Sequence, residues 1–148
     1  MIISFDLDDT LISSSKFDSE KTNLFHKLFS IEKLRKGTVG LFRELKRQQH
    51  RIYIYTTSYR SIIRIKWMFY FYGVSVDYII NEQKHLREIK KFNFRCTKFP
   101  PIFGIDVHID DSEGIKIEGE KYGFKTIVIS EKDENWSQTI LDSLKLIP

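Results

Sequence analysis

The sequence predicts an α/β fold, a Rossmann-like three-layer sandwich around a central parallel sheet. Two observations carry this. Short apolar runs of strand length alternate along the chain with segments of helical period. Three of those runs stop abruptly at polar clusters: Asp6/Asp8/Thr10, Thr56/Thr57/Ser58 and Asp110/Asp111. Strands alternating with helices imply right-handed crossovers, so the strand ends line one sheet edge, where open α/β sheets bind ligands.

Residues 2–5 read as a short buried strand, followed by two carboxylates two apart and a hydroxyl. On an extended strand such residues point the same way, so Asp6 and Asp8 converge just beyond its end. Clustered carboxylates repel unless a cation or a shared proton offsets them. A turn at Ser13-Ser14-Ser15 leads to a helix expected over 19–34, where Leu24, Leu28 and Ile31 fall near helical spacing. Gly37 and Gly40 bracket a break before an amphipathic helix over 39–49. The second strand, 51–55, ends at Thr56-Thr57-Ser58, whose hydroxyls suit the N-cap of the next helix.

That helix is expected over 59–72, with a stripe of Ile62, Ile63, Trp67 and Tyr70, and Gly73 stops it. Arg60, Arg64 and Lys66 lie among aromatics there, a pattern that also suits nucleic acid. The expectation is that the aromatics are buried and the basic side solvated. A short strand follows at 76–80, then a polar, basic stretch over 81–99 with no assigned element. Pro100-Pro101 introduces a strand over 105–109 that ends at Asp110-Asp111. A helix over 113–122 stopped by Gly123, a strand over 126–130 and a helix over 136–146 close the chain.

The 148 residues contain no repeat, linker or low-complexity tract, which predicts a single domain over 1–148 with at most a small cap insertion near 11–37. Cys96 is the sole cysteine, so no internal disulfide forms and a reducing cytoplasmic setting is expected. Met1 runs straight into a strand, which predicts no secretory leader. The longest aromatic-apolar run, 67–74, is too short for a bilayer, so no membrane partner is expected. A net charge of +4 helps steer a phosphorylated or polyanionic partner, nucleic acid included.

In a parallel sheet the three polar strand ends gather in one crevice. An oxygen-rich site with few nitrogen or sulfur ligands suits Mg²⁺, and hydroxyls suit phosphate oxygens. The start Asp6-Leu7-Asp8-Asp9-Thr10-Leu11, the strand ending in Thr56, and Ile109-Asp110-Asp111-Ser112 stand in the order found in the haloacid dehalogenase-like superfamily. The chain resembles that family from Ile2 to Ile129, and the family consists mostly of Mg²⁺-dependent phosphatases. The resemblance implies that Asp6 is the nucleophile, forming an aspartyl-phosphate. Asp8 would protonate the leaving oxygen and then activate water, and Thr10 would support the turn. Thr56 would bind a phosphoryl oxygen, with Thr57 the alternative.

Asp110 and Asp111 would hold Mg²⁺ with Asp6 and the backbone carbonyl of Asp8. The family also needs a lysine. Lys98, just before Pro100-Pro101, is the choice, with Lys84, Lys90 and Lys91 as alternatives. His108 receives no role. The expected activity is phosphomonoester hydrolysis, with phosphotransfer or non-catalytic phosphate or nucleic-acid binding as alternatives. The short connection over 11–37 implies an open site, and the class of phosphorylated substrate stays unspecified.

Overall fold

Apolar strand residues spaced two apart pave one sheet face, and helices cover both faces. The computed structural model describes residues 1–92 and 94–147. β1 (Ile2–Phe5) lies at the centre of a five-stranded, all-parallel sheet. β2 (Arg51–Tyr55) and β4 (Val107–Asp110) flank it, with β3 (Tyr78–Ile80) and β5 (Thr126–Val128) at the edges. The helices are α1 (Leu24–Leu28), α2 (Thr38–Arg47), α3 (Ile62–Phe71), α4 (Glu82–Ile89), α5 (Glu113–Tyr122) and α6 (Trp136–Lys145). This is the expected Rossmann-like three-layer sandwich.

Register sorts the two faces. Ile3 pairs with Ile52 and Val107, and Phe5 with Ile54 and Ile109. These residues pack with Leu41, Phe42 and Leu45 of α2, Ile65, Met68 and Phe69 of α3, and Trp136, Ile140 and Leu144 of α6. On the opposite face Ser4 pairs with Tyr53 and His108, beside a smaller cluster of Tyr53, Tyr55, Ile80 and Ile105. One face is thus an apolar core and the other a thinner layer with buried polar groups.

The strand order β3-β2-β1-β4-β5 means the chain winds outward from β1 in one direction, then returns to β1's other side with β4. The ends of β1 and β4 therefore flank the topological switch point, where this architecture leaves a crevice.

Three expectations are corrected. The helix expected over 19–34 shrinks to the five residues of α1, and Leu24, Phe25, Leu28 and Phe29 are all exposed. Backbone groups at its expected ends bond across the connection instead. Ser19 bridges Arg35, Ile12 bridges Leu34, and the Glu20 amide donates to the Leu34 carbonyl at 2.7 Å. In α3 the buried stripe is Ile65, Met68 and Phe69, followed by Tyr72, while Ile63, Trp67 and Tyr70 face outward. Both sets have helical spacing on a helix that is apolar all round, so period alone does not choose the face. Its N-cap is Ser61, whose Oγ accepts from the Arg64 amide at 3.3 Å, so Thr57 and Ser58 do not cap it.

The stretch over 81–99 contains α4, capped by the Asn81 side chain accepting from the Lys84 amide. The connection from β1 to α2 holds α1 and isolated bridges. Among the described residues no helix is long and apolar enough to cross a membrane.

Candidate active site

Asp6 is the first residue past β1, and its amide still donates to the Ile109 carbonyl at 2.8 Å. That bond holds its buried side chain against the end of β4. Lys98 Nζ lies between two carboxylates, 2.5 Å from Asp6 Oδ1 and 2.6 Å from Asp110 Oδ2. All three side chains are buried. Lys98 comes from a segment without regular structure, yet neighbouring elements fix that segment. The Thr97 amide donates to both Glu118 oxygens of α5 at 3.0 Å, and the Phe99 amide donates to the Tyr55 hydroxyl at 2.9 Å. Tyr55 is held in turn by His85 Nδ1 of α4 at 2.6 Å.

Of the other lysines considered, Lys84 donates to the Ile79 carbonyl and Lys91 pairs with Glu88, while Lys90 is exposed.

His108, which the sequence left without a role, supports this cluster from below. It is fully buried, with Nε2 3.0 Å from Asp110 Oδ2 and Nδ1 2.7 Å from Ser4 Oγ. Burial, aided by the Lys98 charge, pushes its pKa down to about 4, so the ring is neutral at pH 7. A carboxylate only accepts, so Nε2 carries the ring proton and Nδ1 accepts from the Ser4 hydroxyl.

Burial would raise the Asp110 carboxyl, but the His108 bond and the Lys98 charge outweigh it and hold the group well below the usual range. Asp6 goes the other way. Burial, with the Asp110 charge adding and Lys98 opposing, lifts it to about 6. Burial alone would lower Lys98, but Asp6 and Asp110 hold it above its ordinary value, so it stays charged. The site is a buried cation bridging two carboxylates of unequal acidity.

Asp111 completes the acidic side. Its Oδ1 accepts from Thr10 Oγ1 at 3.0 Å, which ties the turn after β1 to the end of the neighbouring β4. Oxygens of Asp6, Asp110 and Asp111 lie within 4.8 Å of one another. The donor set is entirely oxygen, as hard divalent cations prefer.

Asp8 is elsewhere. β1 ends at Phe5 and the chain turns at Asp9-Thr10, with Asp9 at φ 63° and the Leu11 and Ile12 amides both donating to the Leu7 carbonyl. Asp6 and Asp8 are therefore not on one extended strand, which corrects the sequence argument. Asp6 is buried, whereas the Asp8 side chain is 48% exposed on the rim. There Arg60 Nη1 donates to Asp8 Oδ2 at 2.8 Å, while Nε and Nη2 engage Glu32 and Nη1 also reaches Ser58 Oγ. Arg60 and Glu32 were missed as site residues. The sequence signals for Arg60 were its place just after the Thr56-Thr57-Ser58 strand end and among the aromatics of the next helix.

Thr56 is buried at the end of β2, its Oγ1 accepting from the Ser58 amide at 3.1 Å. Among the described residues its own hydroxyl proton has no partner, whereas Thr57 is exposed. The fold and site thus define a Rossmann-like α/β protein with a lysine-bridged carboxylate cluster at its switch point. No protein-family model matches the chain, and no curated protein matches it.

Proposed function

We propose that the protein is a divalent-cation-dependent phosphomonoesterase of the haloacid dehalogenase-like type, working through an aspartyl-phosphate on Asp6. The observation that carries this is Lys98 Nζ between Asp6 and Asp110, with an Asp111 oxygen in the same cluster. A nucleophilic carboxylate beside a buried ammonium and two further carboxylates suits attack on an anion, provided more positive charge is supplied.

Lys98 engages Asp6 through Oδ1, leaving Oδ2 for attack on phosphorus. As the new P–O bond forms, the ester P–O bond breaks and its electron pair passes to the leaving oxygen. Asp8, whose Oδ2 is held by Arg60, would protonate that oxygen from Oδ1. Asp8 then takes a proton from the water that attacks the phosphoryl group, which releases phosphate and frees Asp6. The Thr56 hydroxyl and Lys98 would bind transferring phosphoryl oxygens.

The all-oxygen set of Asp6, Asp110 and Asp111 fits Mg²⁺, which the resemblance would complete with the Asp8 carbonyl. When bound, Mg²⁺ would neutralise phosphate charge and favour the ionised form of Asp6.

Asp6→Asn removes the nucleophile with little change of shape. The variant should lose at least about a thousandfold in kcat on an aryl phosphate with Mg²⁺, while its circular dichroism stays that of the parent. Undiminished turnover would exclude the mechanism.

A further inference from the structure

The outward stripe of α3 is exposed beside the site. Trp67 is 52% and Tyr70 70% exposed, on the helix face that the sequence places in the core. Trp67 and Phe71 of α3, with residues 29–32 that follow α1, form an apolar groove of about 570 Å³, walled also by Phe29 and Ile31 with Arg64 at its side. Phe29 and Phe71 stack with ring centres 5.3 Å apart, and Trp67 packs on both Tyr70 and Phe71. Exposed apolar patches of this kind mark binding surfaces more often than chance.

The groove adjoins the proposed active site. Glu32 walls both the groove and the rim hollow that contains Asp8, Asp9 and Arg60. Its charge is met by Arg60, whose Nη2 lies 2.9 Å away. Lys33 lines the same rim hollow, and Lys27, Arg64 and Lys66 are exposed on α1 and α3. None of these four cations makes an ion pair among the described residues. Exposed rings interleaved with unpaired cations complement one kind of ligand in particular. Nucleobases stack on the rings while the phosphodiester backbone meets the cations, whatever the base sequence.

We propose that the groove between α3 and residues 29–32 binds a single-stranded nucleic acid and that the substrate is the terminal phosphate of such a strand. The substrate assignment rests on the phosphomonoesterase reading, and the groove assignment does not. A terminal phosphate at Asp6 leaves the adjoining nucleotides to pass Asp8 and Arg60 and stack along Trp67 and Tyr70. The small connection between β1 and α2 puts no domain over that path.

The test uses the full chain, a short fluorescent oligothymidylate carrying a terminal phosphate, and an aryl phosphate. Trp67→Ala should raise the oligomer's Kd about tenfold, the size expected for losing one stacked base. It should raise KM for phosphate release from the oligomer similarly and leave kcat/KM on the aryl phosphate unchanged. Arg64→Gln should flatten the log Kd against log salt plot by roughly 0.7, the loss of one backbone contact to a single strand. The matching duplex should bind more weakly, because its bases are not free to stack.

Unchanged oligomer affinity in Trp67→Ala, or a duplex bound as tightly as the strand, would overturn the proposal. So would concentration-dependent dimerisation of the wild type that Trp67→Ala abolishes, since the groove would then hold a second copy. If aryl phosphate turnover is absent yet Trp67-dependent strand binding remains, the phosphomonoesterase reading fails while the groove stands.

Discussion

Removing Lys98 exposes what one buried ammonium contributes. Two carboxylates share it, and no other cation contacts them among the described residues. Breaking a buried charge pair costs roughly 3–5 kcal/mol, because the remaining charge keeps its desolvation penalty without its partner. Lys98→Met should lower unfolding free energy by about that much in urea titrations with EDTA present. The loss should also depend on pH. Asp6 already sits at about 6 in the folded state, above its ordinary 3.8, so the folded protein binds more protons and loses stability as pH rises through that interval. Without Lys98 the interval widens upward, so the deficit should be smaller near pH 5 than near pH 8. A pH-independent deficit would show that Lys98 acts by packing alone.

At this scale Asp6, Thr56, Asp110 and Asp111 were legible because each ends an apolar strand, and Lys98 because of its place before Pro100-Pro101. Ser4 and His108 were not, although His108 and Asp110 are two apart on β4 and must share a face. What joins Ser4 to His108 is the β1–β4 register, which no local pattern encodes.

Among the elements, α3 shows where period runs out. Its boundaries shifted only slightly, but its buried face was inverted, because ten residues reading IIRIKWMFYF have an apolar residue almost wherever one looks. Strands do not have this ambiguity when buried on both faces, and β1 and β2 fall where their apolar runs do. α1 failed for another reason. Leu24 and Leu28 follow helical spacing, but cross-connection bonds took the backbone groups a longer helix needed.

The orientation of α3 has a direct consequence for stability. Ile65→Ala or Met68→Ala empties space in the core and should cost about 2–5 kcal/mol. Ile63→Ala trims an exposed side chain on the same helix and should stay within about 0.5 kcal/mol of the parent. Chemical denaturation of the three variants decides the matter, and the reverse ranking would place α3 the other way round.

Across the whole molecule, the site exists only because distant segments are held together. Arg35 shows the tie most clearly. Its buried guanidinium lies between the Phe17 and Trp136 rings, 4.6 and 4.8 Å from their centres, and donates to the carbonyls of Ser130 and Asp133 at 2.8 and 3.0 Å. It also reaches the Thr10 carbonyl, joining the turn after β1 to the connection after β5. Asp6 and Asp111 are therefore brought together by the fold and separate when it opens, so a cation held by both is a ligand of the native state alone. If that cation is Mg²⁺, linkage requires that it stabilise the chain, by about 2.7 kcal/mol at a hundredfold excess over its Kd. For a chain of this size that raises Tm by roughly 5–10 °C.

Asp111→Ala is the informative control, because Asp111 is only half-buried and among the described residues its one side-chain bond is to Thr10. Its metal-free Tm should stay close to the parent's, while the rise with Mg²⁺ should vanish or need far more of the ion. Melting curves of both proteins after EDTA treatment, with KCl at matched ionic strength to separate screening from binding, measure this directly. A parent Tm that follows ionic strength and ignores Mg²⁺ would leave the carboxylates at the switch point without a metal.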